Sequence, residues 1–519
     1  MNAPSELGAL LADMAAVLGT QALRTDEATR CLYSQDVYRA GYLAAAVVSP
    51  DSTQQVAQLV RLAGEAGVDL FVRGGGMSYT DAYLPTSERS VVLDITRMNR
   101  IRDINVTDLH ATVEAGCTWA ALDDALAKHG VRAVFWGPMS GRRATIGGGM
   151  SQGAATFGSG LHGTSAAAAL GFEVVLGDGR VLQTAQFFRH SGPDLTGLFT
   201  GDAGAFGIKT AITLQLEPRP AFGEGLSFAF DSFDKLVGGL QAVARLNIAT
   251  ETFGAETALL RSIAGSMNFR QDAKTALAVI KNSRNPLLGA WRVLRMAQHG
   301  RRFLRSSHYT VSFLTEARDR TRLALNLRDI RAAAARFGRE IPNTMATVTR
   351  ATPFPDPLVL GPGGKRLLPL HGIFSYSKVA AFHVAHSQLI DHARQELTQL
   401  GIEVFVVYAC IGSNALLYEP VIYWQDAWPE LHKTVMPEAV LRRFRQPPDN
   451  LAARARVERL RLEIIELMRA HGAAHLQLGR AYPYLQNRDP AFSDLVYATK
   501  AALDPAHRIN PGALGLLRP

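Results

Sequence analysis

The sequence predicts an α+β fold in more than one domain. Strands and glycine-rich turns fill roughly the first 215 residues, and strands alternate with amphipathic helices from about residue 220 to 480. The chain of 519 residues is also longer than a single hydrophobic core usually organises. Strands that alternate with helices are typical of a sheet covered on one face.

The composition indicates a globular protein, with 47% apolar and 19% charged residues. The three cysteines, Cys31, Cys117 and Cys410, form no CxxC pair and are too few to staple a chain of this size, so they indicate a reducing compartment. The N-terminus carries acidic residues where a signal peptide carries basic ones, and no apolar run is long enough to span a membrane. We therefore expect an N-terminal amphipathic helix and a cytoplasmic protein.

The formal net charge is +9, and part of the excess is local. Residues 261–305 contain ten basic residues and one acid, Asp272. Aromatic and aliphatic side chains lie among them. One interpretation is a helix that contacts an anionic membrane or an acidic partner, and the other is a solvated helical face over a core. No nucleic-acid-binding module is visible, so no nucleic-acid partner is expected.

In the first domain, the segments AAAVVSP and STQQVAQLVRLAGEAGVDLFVRGGG predict a strand, a helix and a strand that ends at the glycines. SVVLDITRM predicts a further strand, and ATVEAGCTWAALDDALAKHG predicts a strand that runs into a helix. LGFEVVLGDGRVLQT predicts a hairpin in which Asp178-Gly179 supplies the turn. FGIKTAITLQLEPRP predicts a long strand that ends at prolines.

In the second domain, SFDKLVGGLQAVARLN predicts an amphipathic helix capped by Ser232, and HVAHSQLIDHARQELTQLG predicts a helix stopped by Gly401. IEVFVVYACI and LLYEPVIYW predict strands. The tail DPAFSDLVYATKAALDPAHRINPGALG predicts a helix followed by a loop rich in proline and glycine.

Four segments of the first domain are dense in glycine: residues 73–78, 137–165, 177–179 and 200–210. Gly158 to Gly163 satisfies G-x-G-x-x-G, but MSQGAAT before it is a poor strand, so a Rossmann dinucleotide site is disfavoured. Small residues let backbone N–H groups point at phosphate oxygens, and several such loops can enclose a long ligand that bears a diphosphate. A single run of this kind would indicate only a tight turn.

The motifs RGGG-x-S, RATIGG, LGFEVVLGDGRV, GDAGAFGIKT and LDPAHRINPGAL occur in this order. Together they resemble the FAD-linked oxidases that share the fold of vanillyl-alcohol oxidase and para-cresol methylhydroxylase (PCMH). The resemblance covers roughly the first 215 residues and the tail from about Asp489. It implies a PCMH-type FAD-binding domain of two α+β subdomains over 1–217, an α+β cap or substrate domain with a large antiparallel sheet over 218–485, and a C-terminal segment over 486–519 that returns to the FAD-binding domain.

The resemblance also implies which residues contact FAD. Residues 72–78 would wrap the diphosphate, 137–141 would run along the FAD, and 145–153 would hold the isoalloxazine and ribityl groups. Gly163 and Val174 would line the adenine. Ile208 would follow the last glycine-rich strand, and Asn510 would approach the flavin ring. The complete set is Val72, Arg73, Gly74, Gly75, Gly76, Met77, Ser78, Gly137, Pro138, Gly141, Thr145, Gly147, Gly148, Ser151, Gly153, Gly163, Val174, Ile208 and Asn510.

The chain departs from some relatives at the positions that bond the flavin covalently. Met77 stands where some relatives have a histidine that attaches to the flavin 8α carbon, and a thioether is no such nucleophile. Residues 137–165 also lack the cysteine that others use. Attachment through a His or Tyr of the cap remains open, and we predict non-covalent FAD.

The cap sequence bears on the substrate. The hydroxy-acid branch of the family carries a metal-binding H-x-G-D-G-N-x-H segment, whereas the corresponding YACIGSNALLYEP has no histidine and one acid, Glu419. No metal is therefore expected. An apolar pocket is expected instead, from aromatic residues on predicted strands, of which alternate positions would face the flavin: Phe374, Tyr376, Tyr408, Tyr418, Tyr423 and Trp424.

Arg480, Tyr482 and His371 are the candidate catalytic residues. Arg480 and Tyr482, with Tyr484 beside them, have the chemistry to hold a phenolate, or they close a domain junction. His371 would act as an acid or base, or be a hydrogen-bonded core histidine. His162 is interpreted as structural or adjacent to FAD, and His475 is a weaker candidate.

The function predicted from these features is oxidation of an aromatic or phenolic alcohol or an alkylphenol, with hydride transfer to flavin N5 and electrons passed to oxygen, a cytochrome or a quinone. The alternative is a 2-hydroxy-acid dehydrogenase, similar to D-lactate and glycolate dehydrogenases, that reduces a quinone or cytochrome. A third is a flavoprotein with a non-redox role, as in alkyl-dihydroxyacetonephosphate synthase. A homodimer is left open.

Overall fold

The computed structural model of the chain describes residues 3–266, 307–355, 359–486 and 488–517. Most of the basic stretch 261–305, for which a membrane or acidic-partner contact was considered, lies outside the described residues. The described strands form three sheets, two in the N-terminal part and one in the second domain. The predicted α+β class is confirmed.

The first sheet is mainly parallel and has the strand order β1-β2-β4-β3. Its strands are β1 Leu23–Arg24, β2 Ala46–Val48, β3 Asp69–Arg73 and β4 Ser90–Asp94. The amphipathic helix Thr53–Glu65 connects β2 to β3, and the Ser52 side chain caps it by accepting from the Gln55 amide at 3.4 Å. The triple-glycine loop begins where β3 ends.

The second sheet is antiparallel and has the order β5-β6-β10-β8-β9, with β7 paired to β10. Its strands are β5 Ile101–Asn105, β6 His110–Glu114, β7 Val131–Ala133, β8 Ala169–Val175, β9 Val181–Gln183 and β10 Ile208–Pro218. The β8–β9 hairpin turns at Asp178-Gly179, where Gly179 has φ +79°, as the sequence predicted. The preceding strand that a Rossmann motif needs is absent at Gly158–Gly163, which instead enters the short helix Ser159–His162.

The third sheet belongs to the cap, is antiparallel and has the order β14-β11-β13-β12-β17-β18-β15, with β16 paired to β18. Its strands are β11 Phe222–Phe230, β12 Glu251–Glu256, β13 Tyr309–Ala317, β14 Arg339–Ile341, β15 Arg366–Pro369, β16 Gly372–Ser375, β17 Glu403–Ile411 and β18 Ala415–Trp424. The chain therefore passes from the second sheet to the third between Pro218 and Phe222.

Some of the helices cover one face of the cap sheet, and the remaining helices pack around the first two sheets. The described α-helices are Ala3–Leu18, Glu27–Tyr33, Thr53–Glu65, Trp119–Ala127, Ile146–Gln152, Ser159–His162, Leu195–Leu198, Phe233–Ala244, Thr257–Ser266, Arg320–Ala334, Thr344–Ala351, Val379–Gln399, Glu430–Val435, Glu438–Leu441, Leu451–Ala470 and Pro490–Leu503. Short 3-10 turns are Thr20–Ala22, Ile95–Arg97, Ser165–Ala168, Pro362–Gly364 and Ala513–Gly515. No helix among these residues is both long enough and apolar enough to cross a bilayer.

Two long helices of the cap were not expected from the sequence, Arg320–Ala334 and Leu451–Ala470. The first is rich in Arg and the second in Arg and Glu, and each buries a stripe of residues three or four apart. In the second helix the stripe includes Val457, Leu460 and Ile464. Such stripes carry a weak hydrophobic signal because charged side chains are at least as many as the buried ones.

The C-terminal segment returns to the first sheet. The Leu70 amide donates to the Arg508 carbonyl at 2.9 Å, and the Asn510 amide donates to the Leu70 carbonyl at 2.9 Å. A buried ion pair between Lys500 Nζ and Asp504 Oδ2, 2.5 Å apart, holds the helix Pro490–Leu503 against this turn. The chain end thus becomes part of the edge from which the glycine loops emerge.

Candidate functional site

The triple-glycine loop after β3 packs tightly against the loop at residues 143–145. A Cβ on Gly75 would lie 1.8 Å from the Arg143 carbonyl oxygen, and one on Gly74 would lie 2.2 Å from Thr145 Oγ1. Both distances are far below van der Waals contact, so only glycine fits at these two positions. The sequence predicted that this backbone approaches something closely, and in the structure it approaches a second glycine-rich segment.

The outer side of this loop has the properties of an anion site. Within the described part of the chain, no protein acceptor takes the backbone N–H groups of Gly75, Gly76 and Met77. The Nε atoms of Arg73 and Arg143 are buried without a hydrogen-bond partner there, and neither guanidinium forms an ion pair with a described carboxylate. Consecutive amides and two uncompensated cations are what a diphosphate requires.

Arg73 is held at the loop by stacking. Its guanidinium carbon lies 4.4 Å from the Tyr33 ring centroid and 5.6 Å from that of Tyr83. A Cβ on Gly76, which has φ +72°, would lie 2.1 Å from Arg73 Nη2, so the guanidinium covers this glycine. The positive charge is therefore placed beside the free amides.

The second glycine segment forms the helix Ile146–Gln152. Thr145 caps it by accepting from the Gly148 amide at 3.2 Å, and Gly153 ends it at φ +61°. The carbonyl of Ser151 accepts from the Ala203 amide at 2.8 Å. The structure thus brings the predicted residues 145–153 next to the triple-glycine loop and to the fourth glycine segment, residues 200–210.

Asn510 joins three segments by its side chain. Its Oδ1 accepts from the Val72 amide at 2.9 Å, and its Nδ2 donates to the carbonyls of Ala203 at 3.1 Å and Gly204 at 3.4 Å. This amide group is therefore committed to backbone partners at the base of the glycine loops. Its predicted contact with the flavin stays a prediction.

The remaining predicted FAD contacts lie around this centre. Val174 and Ile208 are buried neighbours on the paired strands β8 and β10, and Gly163 lies in an open turn at φ +86°. Gly137 and Gly141 pack against Phe354 of the second domain. The side chain of His162 is exposed, and partial desolvation lowers its pKa.

Met77 and Tyr79 carry the glycine loop to the cap. Met77 packs against a buried apolar cluster that includes Val359, Trp428 and Leu431. Tyr79 contacts the same cluster and also packs against a cluster of the cap sheet that contains Tyr423. The loop that follows the anion site therefore faces the cap sheet directly.

The two faces of the cap sheet differ in burial. Along β17, Val406, Tyr408 and Cys410 are buried under the helices, whereas Phe405, Val407 and Ala409 on the other face are half-buried. This alternation follows from the two-residue repeat of a strand. The half-buried face is the one turned toward Tyr79, and it bounds the space between the cap and the glycine loops.

The predicted aromatic pocket is therefore wrong for several of its members. Phe374, Tyr408, Tyr418 and Trp424 lie in the helix-covered core, where Tyr408 and Tyr418 meet edge to face at 5.3 Å. Tyr376 also packs on this side, with its hydroxyl 3.5 Å from Cys410 Sγ. Tyr423 alone of the six lies on the face toward the glycine loop. The sequence could not supply the strand register that decides between the two faces.

Glu419 on that face meets a polar cluster with His371, His475 and Tyr482, of which the buried Tyr482 also packs in the helix-covered core. His371 Nε2 lies 3.8 Å from Glu419 Oε2, and the His371 amide donates to the Tyr482 hydroxyl oxygen at 2.7 Å. His475 Nδ1 donates to the His371 carbonyl at 2.7 Å, and its ring stacks on Tyr482 with centroids 4.3 Å apart. The structure thus brings together two of the three predicted catalytic residues.

Burial sets the protonation of this cluster. It raises the pKa of Glu419 to about 7, and burial together with His475 lowers the pKa of His371 to about 4. The Glu419 side chain keeps 21% of its surface accessible, whereas His371 keeps 5%. The cluster therefore presents one carboxyl group that titrates near neutral pH, supported by a neutral imidazole.

Arg480 makes different contacts from the other two candidates. Its Nη2 donates to the Leu84 carbonyl at 2.6 Å, its amide donates to Thr80 at 3.0 Å, and its guanidinium lies 5.6 Å from the Phe71 ring centroid. These are contacts with the loop that follows the glycines. The described ion pairs give Glu419 no Arg or Lys partner, and within the described ranges no group of His, Cys, Asp and Glu could hold a metal.

From the sequence, Glu419 was expected only as an insufficient metal ligand, and Tyr79 was not singled out. The signal for Glu419 was available: an acid in the middle of the apolar strand LLYEPVIYW is either paired or functional. Tyr79 had no such signal, because its role depends on the docking of the cap on the glycine loop.

Comparison with known proteins agrees with this site. Residues 44–185 match the family model of the FAD binding domain. The chain is 33% identical over 226 residues to 1'-carboxy-chondrochloren decarboxylase of Chondromyces crocatus, covering 41% of each chain. It is 26% identical over 190 residues to the mitochondrial D-lactate dehydrogenase [cytochrome] 1 of Saccharomyces cerevisiae, covering 36% of this chain and 32% of the relative. The matches thus span less than half the length of either relative.

Two solved structures resemble nearly the whole chain. One is 4-ethylphenol oxidase from Gulosibacter chungangensis in an isoeugenol complex, with a TM-score of 0.72, 18% identity and coverage of 99% of this chain and 98% of that chain. The other is p-cresol methylhydroxylase with substrate bound, with a TM-score of 0.72, 17% identity and coverage of 99% and 97%. The predicted FAD cofactor and PCMH-type fold are confirmed, and the class of FAD-linked oxidase or dehydrogenase is supported.

Proposed function

We propose that this protein is an FAD-dependent oxidoreductase that oxidises an aromatic or phenolic alcohol or an alkylphenol. The observation that carries the proposal is the position of Glu419, a titratable acid on the apolar, half-open face of the cap sheet opposite the glycine loops. FAD supplies the hydride-accepting chemistry. The residues around the triple-glycine loop fit its diphosphate through free amides and the guanidinium groups of Arg73 and Arg143.

Glu419 is the proposed proton acceptor. With a pKa of about 7, its carboxylate is present near neutral pH and is basic enough to take a hydroxyl proton from a bound substrate. His371 is neutral at that pH and lies beside the carboxyl group, where it can orient the acid. With a pKa of about 4 it is too weak a base to take the proton from Glu419, so the acid or base role predicted for His371 becomes a positioning role.

Tyr482 is the proposed substrate-orienting residue. Its hydroxyl oxygen already accepts from the His371 amide, so its own O–H remains to donate to a substrate oxygen. Stacking on His475 fixes the ring. Arg480 was predicted to act with Tyr482, and its contacts support a role in holding the loop at residues 80–84 rather than one at the substrate.

The chemistry of this face favours a substrate without a carboxylate. A 2-hydroxy acid would bring a negative charge beside Glu419, and the described ion pairs place no Arg or Lys there to balance it. A neutral phenol or aromatic alcohol needs no counter-charge and can pack on Tyr423, Tyr79 and Val421. The structural neighbours include proteins whose names refer to phenolic substrates, which agrees with the proposal.

A 2-hydroxy-acid dehydrogenase remains the second candidate, because a D-lactate dehydrogenase is among the relatives in sequence. An anaerobic donor panel separates the two. The purified holoprotein is mixed without oxygen with phenolic alcohols, alkylphenols and 2-hydroxy acids, and loss of the flavin absorbance is recorded. Bleaching by phenolic donors alone is expected, and bleaching by hydroxy acids alone would overturn the proposal.

The electron acceptor, the assembly and the cell compartment stay predictions. Oxygen, a cytochrome or a quinone would take the electrons, a homodimer is open, and the cysteine usage favours the cytoplasm. Acid precipitation tests the predicted non-covalent FAD, because a covalently bound flavin would stay with the pellet and colour it yellow.

A further inference from the structure

Phe354, in the second domain, is buried in the core of the first. It follows the helix Thr344–Ala351 and keeps 7% of its surface accessible. Its ring meets Trp136 edge to face at 5.8 Å and Phe157 at 5.7 Å, and these two rings stack on each other at 4.3 Å. The side chain therefore fills an aromatic socket between the domains.

The glycines of the segment WGPMSG leave room for this ring. A Cβ on Gly137 would lie 2.9 Å from Phe354 Cε1, and one on Gly141 would lie 2.5 Å from Phe354 Cδ1. The neighbouring Arg142 Nε donates to the Phe354 carbonyl at 2.5 Å. The turn at residues 137–142 is thus shaped around a residue of the cap segment.

The same turn is continuous with the wall of the anion site. The Arg143 and Ala144 amides both donate to the Ser140 carbonyl at 2.9 Å, which makes residues 140–144 one compact turn. The Arg143 carbonyl then abuts Gly75. A Cβ would clash at both Gly141 and Gly75, so this turn is closely packed against Phe354 at one end and against the triple-glycine loop at the other.

The cap holds Phe354 through ion pairs near its base. Arg350 Nη1 lies 3.0 Å from Glu316 Oε1, and Arg132 of the first domain lies 2.6 Å from Glu316 Oε2. Pro353 and Pro355 flank the phenylalanine and restrict the backbone on both sides. The ring is therefore presented by a stiff, anchored segment.

We propose that Phe354 is a positioning residue for FAD, through which the cap keeps the diphosphate cradle in its binding geometry. The inference rests on the FAD-binding role of the loops at 73–78 and 137–145. Phe354 acts through the turn at 140–144 and has no assigned contact with the cofactor itself. Withdrawal of the ring would let this turn relax away from Gly75 and weaken the hold on FAD.

The test is the rate of FAD release from the holoprotein. Phe354→Ala and Phe354→Leu are diluted, and free FAD is followed by its fluorescence after rapid ultrafiltration. Phe354→Ala should release FAD at least about tenfold faster than wild type, a change that corresponds to about 1.4 kcal/mol in affinity if the binding rate is unchanged. Phe354→Leu should restore most of the retention, because it refills much of the socket.

Phe228→Ala is the matched control, since Phe228 is equally buried but lies in the cap core against Phe313. It should lower the thermal unfolding temperature without changing FAD release. Release from Phe354→Ala within twofold of wild type, or an equal acceleration in Phe228→Ala, would overturn the proposal. The readout requires no turnover, so it stands apart from the identity of the substrate.

Discussion

Glu419 is a carboxylic acid on the open face of the cap sheet that lies beside His371. Glu419 lies between Leu417 and Val421 along that face and has only a neutral histidine as its ionic neighbour in the described structure. A buried acid costs free energy when it ionises, so an acid at this place is a candidate functional group. The sequence shows the acid but not its partner, because His371 comes from a loop 48 residues earlier.

Glu419→Gln should also change stability with pH. The folded-state pKa of Glu419, about 7, lies above the usual value for glutamate, so the folded protein binds a proton that the unfolded chain has lost between about pH 4 and 7. The stabilisation that this bound proton gives the folded state is present at low pH and is lost as pH rises through 7. The variant should therefore unfold at a higher temperature than wild type at pH 8 and show no such gain at pH 5. An unfolding temperature below wild type at pH 8 would contradict the burial of an uncompensated charge.

Tyr482→Phe should slow flavin reduction by roughly 10- to 100-fold while FAD stays bound. The substitution removes the hydroxyl that accepts from the His371 amide and that is proposed to donate to substrate. Anaerobic reduction with the best phenolic donor measures the effect. Tyr484→Phe is the matched control, because the Tyr484 ring packs against Phe492 and Arg488 outside the cluster. Equal rates of flavin reduction in the two variants would show that the Tyr482 hydroxyl takes no part in the reaction.

At the scale of single elements, the hairpin at Gly179, the helix capped by Ser232 and the strands β17 and β18 all follow from local sequence signals. Which face of β17 and β18 meets the cofactor does not. That choice depends on the packing of helices such as Val379–Gln399 over one side, which is a tertiary effect. Several aromatic residues were therefore assigned to the wrong face.

A substitution on the helix-covered face of β18 should lower stability without lowering activity. Tyr418→Phe removes a hydroxyl that bonds His383 at 2.9 Å and His386 at 3.2 Å in the helix-covered core, so it should destabilise the protein by about 1–3 kcal/mol. It should leave flavin reduction within about twofold of wild type. Denaturant unfolding and anaerobic reduction measure the two effects. A large loss of reduction without a loss of stability would place the substrate on the other face.

A substitution in the triple-glycine loop tests the proposed diphosphate site, which the loops at residues 73–78 and 143–145 form. Gly75→Ala places a methyl group within 1.8 Å of the Arg143 carbonyl, which forces the two loops apart and displaces the free amides. The purified variant should contain little FAD, measured by its absorbance ratio at the flavin and protein bands. Gly64→Ala, in a helix with open space around the site, is the control and should keep a full complement. Normal FAD content in Gly75→Ala would contradict the cradle.

At the scale of the whole molecule, distant segments meet at the glycine loop. Arg39 and the buried Arg461 of the helix Leu451–Ala470 both pair with Asp81, at 2.8 Å and 3.6 Å. Asn510 of the C-terminal segment joins the other side of the loop. The sequence motifs predicted that the loop binds FAD, but these supports come from residues hundreds of positions apart and leave no local pattern.

Asn510→Ala tests the return of the C-terminal segment. It would leave the Val72 amide and the carbonyls of Ala203 and Gly204 without this partner, at a cost of about 1–3 kcal/mol in the free energy of unfolding. Asn510→Asp keeps the acceptor for Val72 but turns a buried carboxylate oxygen toward two carbonyl oxygens, so it should be the least stable of the three proteins. Denaturant unfolding of the three proteins gives the order, and equal stability for Asn510→Ala and wild type would show that the junction contributes nothing.

The pH dependence of anaerobic flavin reduction tests the central claim most directly. With a phenolic alcohol as donor, the wild-type rate should rise as pH increases through about 7, because Glu419 becomes the carboxylate that accepts the proton. Glu419→Gln should keep its FAD, reduce at least about 100-fold more slowly and lose this rise. A variant that reduces at the wild-type rate with the same pH profile would show that Glu419 takes no part in the reaction.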